Sequence, residues 1–341
     1  MNNKIGIGII GTGAIAVKHA AAIRELEGAE LLAVCSSTKG RAIEAKKTFG
    51  VESYADIHSF LKHPQLDLIA ICTASGHHMG PALTSIAAGK HVLIEKPIEI
   101  NLKRADQIIQ AARENGVKLG VIFQNRFNPD YIQLKKALQE GLLGKLFLGN
   151  AYVNWFRDEA YYKSSPWKGT VEGDGGGALI NQAIHTIDLL LDCMGAVHSV
   201  FGKTDTLHHK IETEDSATAV VEFKNGALGT ITASTAISPG YPERLEIYGS
   251  KGSIILEGGK IKAWDIQGEP SRIMNSPAGK NSGASDPMAI GHQWHLEQYK
   301  DFLNAIQEDR APLVNGEEGI KSLALIEGIY QSSKLGKLVF L

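Results

Sequence analysis

The sequence predicts an α/β domain built on a doubly wound parallel sheet, followed by an α+β domain with a large, mostly antiparallel open sheet. At 341 residues the chain is too long for one typical core. Its first part alternates short apolar runs with helix-length segments, a pattern typical of parallel strands covered on both faces. Its second part places strand-like runs in succession, which favours antiparallel pairing. We therefore expect domains over residues 1–123 and 124–341.

The elements follow from hydrophobic runs and their boundary residues. In the first domain, strands are predicted at 5–10, 30–35, 66–72, 91–94 and 118–123, with helices at 14–26, 40–49, 79–88 and 102–115. In the second domain, strands are predicted at 146–155, 197–206, 216–223, 227–236, 244–248 and 253–257, with helices at 129–140, 177–194, 294–307 and 317–333. Lys224-Asn225-Gly226 predicts a hairpin. Residues 271–291, rich in Ser, Gly, Asn and Pro, predict a long loop.

Composition excludes several classes of function. The net charge is −2 and the basic residues are scattered, so we expect no nucleic-acid partner and no attraction to an anionic membrane. No apolar run is long enough to span a bilayer, and no cleavable leader is recognised. The three cysteines are far apart, and the histidine pairs His77-His78 and His208-His209 lack partnering cysteines, so we expect no disulfide framework and no metal. A cytoplasmic protein is predicted.

A glycine-rich turn opens the first helix. Residues 11–16 read G-T-G-A-I-A, directly after the first predicted strand. Gly11 permits a tight turn, Gly13 lets the backbone approach a pyrophosphate, and Ala16 allows close helix–strand packing. Such a turn can also join strand and helix without a ligand. Its place in the first unit of a repeated βα pattern favours dinucleotide binding.

The end of the second predicted strand bears on the choice between NAD and NADP. An acid there would hydrogen-bond the ribose 2′-hydroxyl of NAD and repel the 2′-phosphate of NADP. The sequence instead continues Ser36-Ser37-Thr38-Lys39-Gly40-Arg41, with hydroxyls and two cations. This composition tolerates a phosphate, although Lys39 and Arg41 equally suit a solvated helix start. The cofactor is expected to be NAD or NADP.

Three polar side chains stand where catalysis could use them. Glu95-Lys96-Pro97 follows the strand at 91–94, at the sheet edge where ligands bind in open α/β sheets. Asn181 and His185 are four residues apart in an apolar helix and so share a face. A core hydrogen bond to His185 would also explain its place there. Oxidation of a secondary alcohol without zinc needs a base and a positive charge near the oxygen, which histidine and lysine supply.

Four segments together resemble the glucose–fructose oxidoreductase, inositol dehydrogenase and rhizopine catabolism (Gfo/Idh/MocA) family: residues 11–16, 73–78, 88–97 and 175–188. The resemblance covers nearly the whole chain. It implies a Rossmann domain and an open antiparallel sheet that often mediates oligomerisation, so a homo-oligomer, dimer or tetramer, is expected. It further implies that Lys96 contacts nicotinamide and the substrate hydroxyl, and that His185 is the acid/base. The candidate cofactor-binding residues are Gly11, Thr12, Gly13, Ala14, Ile15, Ser36, Ser37, Arg41, Thr73, Ser75, His78, Glu95, Lys96, Gln124 and Trp167.

The sequence departs from the family pattern at two positions. Lys168 follows Trp167 where the family has Arg, and Asn181 stands where many members have Asp. An amide cannot accept a proton, so His185 must be the base while Asn181 orients the substrate. Residues 124–129, Asn181 and the glycines at 175–177 are similar to members that oxidise nucleotide-linked sugar uronates at the 3-hydroxyl. Arg126 would then meet a carboxylate or a phosphate, or else form an internal salt bridge, and Tyr162 is a further candidate substrate contact.

The predicted function is an NAD(P)-dependent oxidoreductase that transfers a hydride between nicotinamide and a secondary hydroxyl of a sugar, cyclic polyol or nucleotide sugar. Two alternatives remain open at this stage. One is a redox-neutral sugar-modifying enzyme with tightly bound NAD, and the other is a non-catalytic NAD(P)-sensing regulator. The presence of both Lys96 and His185 argues against the regulator, because a sensor has no need of them.

A bulky residue at Gly13 is expected to abolish cofactor binding, because its side chain would occupy the space of the pyrophosphate. Fluorescence titration of a Gly13→Val variant with NADH and NADPH measures this. Unchanged affinity in a variant with a native circular dichroism spectrum would contradict the assignment of the turn.

Overall fold

The computed structural model describes residues 4–273 and 291–341, which form two compact units. The first unit comprises Met1–Gln124 with His292–Ile320, and the second comprises Asn125–Gly291 with Lys321–Leu341. The chain passes from the first unit to the second after Gln124, within one residue of the boundary predicted after residue 123. The expectation that the second domain continues unbroken to residue 341 is wrong. Helix α10 (Gln293–Gln307) buries Leu296, Tyr299 and Phe302 in the core of the first unit.

The first unit is the predicted doubly wound domain. Its six strands are all parallel and are ordered β3-β2-β1-β4-β5-β6. The strands are β1 (Ile5–Ile10), β2 (Ala29–Cys35), β3 (Glu52–Tyr54), β4 (Leu68–Ile71), β5 (His91–Ile94) and β6 (Leu119–Val121). The helices are α1 (Ala14–Arg24), α2 (Lys39–Phe49), α3 (Ile57–Leu61), α4 (Met79–Ala87) and α5 (Leu102–Glu114). Strand β3 and helix α3 are short and carry no apolar run or periodicity long enough to have been predicted.

The strand ends of this sheet are in register. Cys35, Ile10, Ile71, Ile94 and Val121 are successive pairing partners across β2, β1, β4, β5 and β6. The residues that follow these strands therefore lie along one edge of the sheet, the edge at which open α/β sheets bind their ligands.

The second unit contains an eight-stranded sheet of order β13-β12-β11-β7-β10-β9-β8-β14. Its strands are β7 (Leu146–Asn154), β8 (Val197–Asp205), β9 (Ser216–Phe223), β10 (Leu228–Ser234), β11 (Arg244–Gly249), β12 (Gly252–Glu257), β13 (Lys260–Ile266) and β14 (Val339–Phe340). Among these strands, only β7 and β10 pair in parallel. The predicted mostly antiparallel sheet is confirmed. The β9–β10 hairpin turns at Gly226, whose φ of 83° suits glycine. Strands β13 and β14 were not predicted.

The second unit also contains helices, one of which carries His185. They are α6 (Pro129–Gln139), α7 (Glu159–Lys163), α8 (Val171–Asp174) and α9 (Ile184–Met194), while α11 (Gly316–Leu335) begins in the first unit and continues into the second. The single helix predicted over 177–194 is divided, because Ala178–Ala183 form a π-helical turn before α9 begins. Of the predicted loop at 271–291, residues 274–290 lie outside the described residues.

Candidate active site

The glycine turn between β1 and α1 has the geometry of a phosphate-binding turn. Gly11 has a φ of 95°, and a Cβ there would lie 2.4 Å from the carbonyl oxygen of Cys72. Gly13 differs, because no protein atom lies within 4 Å of the position its Cβ would take. The first turn of α1 has neither a side-chain cap nor an acid. Its N–H groups and the positive end of the helix dipole therefore suit an anionic pyrophosphate. Thr12 lies in the glycine turn, and Ala14 and Ile15 lie in the first turn of α1.

The segment after β2 lies where the sequence placed it. Strand β2 ends at Cys35, and Ser36 is the next residue. Thr38 caps α2 by accepting a hydrogen bond from the N–H of Arg41 at 3.3 Å. The guanidinium of Arg41 is exposed and lies 3.5 Å from the Ser37 hydroxyl. Residues 36–41 present hydroxyls and cations without a carboxylate, a composition that accepts either a ribose hydroxyl or a 2′-phosphate.

Two loops follow β4 and β5, and His78 joins them. Its Nδ1 lies 2.9 Å from the carbonyl oxygen of Pro97 and its Nε2 lies 3.2 Å from that of Thr73. Burial lowers the pKa of His78. The contact with Pro97 joins the two loops, and the expected contact of His78 with the cofactor stays a prediction. Thr73 hydrogen-bonds the His77 carbonyl at 3.0 Å, and Ser75 is buried in the turn between them.

The loop after β5 presents Lys96. The Lys96–Pro97 peptide is cis, and the N–H of Lys96 donates to the Glu95 carboxylate at 3.1 Å. Glu95 is buried, and Lys96 is half-buried. Gln124, which follows β6, is also buried, and among the described residues its Oε1 has no hydrogen-bond partner. An unsatisfied buried amide oxygen at this sheet edge fits a polar donor group of a ligand. These features fit a dinucleotide whose nicotinamide lies near Lys96.

In the second unit, Asn181 and His185 occupy consecutive turns. Asn181 lies in the π-helical turn and donates a short hydrogen bond to Asp174, and His185 is half-buried in the first turn of α9. The Glu214 carboxylate accepts the N–H groups of Gly177 at 2.8 Å and Leu179 at 2.9 Å and so caps the π-helical turn. π-Helical turns frequently occur at functional sites. The apolar periodicity of this segment does not predict the π-helical turn.

The aromatic segment before Gly169 is packed and hydrogen-bonded. The Tyr162 hydroxyl pairs with Thr235 at 2.8 Å, and the Tyr161 hydroxyl accepts from Gln182 at 2.9 Å. Burial raises the pKa of each tyrosine to about 12, which makes both poor proton acceptors near neutrality. The Lys168 ammonium lies 3.9 Å from the centroid of the Tyr161 ring. Trp167 packs against Gly173, where an added Cβ would approach the Trp167 Cβ to 2.5 Å.

Arg157 is a residue that the sequence analysis did not identify. It is fully buried, donates to the Gln182 side chain at 2.8 Å, and lies 4.9 Å and 5.4 Å from the ring centroids of Trp155 and Tyr161. An arginine that directly follows two aromatic residues, Trp155 and Phe156, was the available signal. Its contacts link the segment after β7 to Gln182, the neighbour of Asn181.

Arg126 forms an internal salt bridge, which is one of the roles predicted for it. Its Nε and one terminal nitrogen each donate to a different oxygen of Asp188 at 2.8 Å, and a second carboxylate, Asp192, lies 3.6 Å away. Both side chains of the bidentate pair are buried. The guanidinium edge that would bind a substrate carboxylate already hydrogen-bonds Asp188. The geometry therefore does not support Arg126 as a substrate contact.

Comparison with known proteins identifies the family. Residues 5–123 match the model of the oxidoreductase family, NAD-binding Rossmann fold, and residues 131–255 match the GFO/IDH/MocA C-terminal domain. The chain belongs to the Gfo/Idh/MocA family. The myo-inositol 2-dehydrogenase of Thermotoga maritima is 30% identical over 94% of this chain and 93% of its own length. The scyllo-inositol 2-dehydrogenase (NAD⁺) of Bacillus subtilis is 28% identical over 92% and 90%.

Among solved structures, the WlbA dehydrogenase of Bordetella pertussis, in complex with NADH and UDP-GlcNAcA, is 31% identical. It superposes with a TM-score of 0.88 over 99% of both chains. These relatives establish a family of nicotinamide-dependent enzymes that oxidise CH–OH groups. This Gfo/Idh/MocA protein is accordingly an NAD(P)-dependent oxidoreductase acting on sugar or polyol hydroxyls, and the redox-neutral and regulatory alternatives are not favoured. None of the helices in 4–273 and 291–341 combines the length and apolarity needed to cross a bilayer.

Replacing Ser36 with Asp is expected to weaken NADP binding relative to NAD by about tenfold or more, because the carboxylate would repel the 2′-phosphate. Ser36→Asn is the matched control, with the same size and no charge. Dissociation constants for NADH and NADPH from fluorescence titration measure the ratio. Equal effects of Asp and Asn would show that Ser36 does not face the adenosine ribose.

Proposed function

We propose that the enzyme oxidises a nucleotide-linked sugar uronate at its 3-hydroxyl. Support comes from the 31% identity with the WlbA dehydrogenase, whose structure contains UDP-GlcNAcA, over 99% of both chains. The residues that first suggested this class, Asn181 and the glycines at 175–177, form the π-helical turn and its entry in the second unit. A uronate differs from inositol in its carboxylate, so the enzyme needs a cation that can receive it.

Lys168 is the cation that carries this proposal. Its ammonium donates to the neutral Ser164 hydroxyl at 2.9 Å and lies over the Tyr161 ring. Among the described residues, no carboxylate forms an ion pair with it. Burial lowers the pKa of Lys168, although Asp174 partly opposes this effect. The oxygens of Asp174 instead accept hydrogen bonds from Gly169 and Asn181. A partly desolvated ammonium that forms no direct ion pair gains stability when a ligand carboxylate binds.

The chemistry divides between three side chains. Bound nicotinamide supplies the hydride acceptor. We assign to His185 the removal of the hydroxyl proton, because an imidazole nitrogen can accept a proton whereas the Asn181 amide cannot. Lys96 places its positive charge at the oxygen and stabilises the developing alkoxide. Asn181, held by Asp174, orients the sugar and takes no part in proton transfer.

The compartment and assembly belong to this proposal as well. Cys35, Cys72 and Cys193 form no disulfides, as expected of a cytoplasmic protein.

Phe201, Val220 and Leu228 on strands β8 to β10 are each about half exposed. Apolar side chains on an open sheet face suit association with a second copy, and we propose a homo-oligomer, either dimer or tetramer.

Replacing Lys168 with Met is expected to raise KM for UDP-GlcNAcA about tenfold or more, because a charged hydrogen bond to the carboxylate is lost. Activity with UDP-GlcNAc, which lacks the carboxylate, should change little. The assay follows NADH formation by absorbance. Lys163→Met is the matched control, since that lysine is exposed on α7 and pairs with Glu159 at 2.8 Å. Equal losses with both nucleotide sugars would contradict recognition of the carboxylate by Lys168.

Lys96→Met and His185→Ala are each expected to lower kcat about 10²–10⁴-fold, the usual contribution of a charge-stabilising or acid–base group. NADH affinity should remain roughly intact. The pH profile of kcat/KM should change in His185→Ala, because the group assigned to accept the proton is removed. The exposed residues Lys103 on α5 and His58 on α3 provide matched controls as Lys103→Met and His58→Ala. Near-full activity and an unchanged pH profile in His185→Ala would mean that the proton leaves by another route.

A further inference from the structure

A cluster of buried titratable groups lies beneath the ligand-binding edge of the first unit. His19 of α1 and Glu95 after β5 meet His295 and Tyr299 of α10, with Cys72 after β4 beside them. All five side chains are at least nine-tenths buried. Buried charges are costly unless they are paired, so the cluster needs a physical reason for its presence.

The contacts form a connected chain. The Nε2 of His19 lies 2.8 Å from Glu95 Oε1, and its Nδ1 lies 2.7 Å from the Tyr299 hydroxyl. The Nε2 of His295 approaches Glu95 Oε1 to 3.7 Å. The other carboxylate oxygen, Oε2, accepts the N–H of Lys96 at 3.1 Å. One carboxylate therefore connects the helix that follows the glycine turn to the backbone of Lys96.

The charge state supports a fixed ion pair. Burial would lower the pKa of His19, but Cys72, Tyr299 and Glu95 together raise it well above its ordinary value. Burial would likewise raise the pKa of Glu95, but the hydrogen bond from His19 and the nearby His295 hold it well below its usual range. A protonated His19 donates from both ring nitrogens, which matches its two partners.

The same three groups can also be considered as metal ligands. His19, Glu95 and His295 place ligand atoms within 4.8 Å of one another, a set that the sequence analysis overlooked. Ligand atoms on a tetrahedral zinc ion lie about 3.3 Å apart, given bonds of about 2.0–2.1 Å. The 2.8 Å separation of His19 and Glu95 is instead a hydrogen-bond distance. The geometry therefore favours a shared proton over a metal.

We infer that His19, supported by Tyr299, is a positioning residue that fixes Glu95 and thereby the backbone of Lys96 relative to the glycine turn. Helix α1 starts at that turn, so a displacement of α1 is transmitted through His19 to the loop after β5. The inference rests on the role proposed above for Lys96. It assigns to His19 and Tyr299 no contact with the substrate or the cofactor.

The test compares three variants of graded severity. Tyr299→Phe removes only the hydroxyl that meets His19, His19→Gln keeps a neutral donor for Glu95, and His19→Leu keeps neither. Tyr131→Phe is the matched control, because Tyr131 of the second unit is equally buried and its hydroxyl also bonds an ionisable side chain, that of Asp192. The measurements are kcat and KM with UDP-GlcNAcA, or with myo-inositol if only that is turned over, together with hydrogen exchange of residues 91–96 and metal content.

Misplacement of a catalytic group by about 1 Å costs about 10²-fold in rate. His19→Leu should lose about that factor in kcat with little change in KM, Tyr299→Phe should lose less, and His19→Gln should be partly rescued. Exchange of the Lys96 amide should accelerate in the same order, whereas Tyr131→Phe should match wild type in both readouts.

Unchanged exchange at residues 91–96 in His19→Leu would overturn the inference, as would faster exchange with an unaltered kcat. Stoichiometric zinc in the purified enzyme would also overturn it. The hydrogen-exchange result does not depend on the identity of the substrate. If Lys96→Met were fully active, the proposed chemistry would fail while the exchange data still reported whether His19 holds the loop.

Discussion

The in-register ending of the parallel strands is the constraint on which the rest of the first unit depends. Because β2, β1, β4 and β5 pair Cys35, Ile10, Ile71 and Ile94 in one row, the residues after them share one sheet edge. The glycine turn, the segment after β2 and the Lys96 loop are thereby brought to that edge from positions far apart in sequence. The buried carboxylate of Glu95 stabilises this arrangement through its hydrogen bonds with His19 and the Lys96 N–H, because a buried charge without such partners is costly.

In the second unit, buried interactions hold the polar side chain of Asn181 in an otherwise apolar helical segment. The carboxylate of Glu214 satisfies the N–H groups that enter the π-helical turn, and Asp174 holds Asn181. Arg157 connects the neighbouring Gln182 to Trp155, after β7, through a hydrogen bond and a cation–π contact. These interactions pre-arrange the turn before a ligand binds, so substrate recognition need not include the cost of ordering it. Lys168, with which no carboxylate of the described residues forms an ion pair, then determines the substrate class in our account.

The sequence was informative wherever function depends on local geometry. The glycine turn, the loop at Lys96 and the hairpin at Gly226 each follow from a few consecutive residues, and the alternating βα pattern predicted the first sheet. It was uninformative where partners are distant. His19 and Glu95 are 76 positions apart, and the pairing of Arg126 with Asp188 spans 62. The return of α10 to the first core and the π-helical turn also depend on tertiary packing, which periodicity alone does not encode.

The transfer of a hydride from carbon 3 of a nucleotide-linked uronate to nicotinamide is the central claim, and isotope transfer tests it most directly. The enzyme would be incubated with NAD⁺ and UDP-GlcNAcA that carries deuterium at carbon 3, and the reduced cofactor analysed by mass spectrometry. The account predicts deuterium in the reduced nicotinamide, in amounts that match the 3-keto product. Deuterium that stays in the sugar, or that is released to water without cofactor reduction, would contradict it.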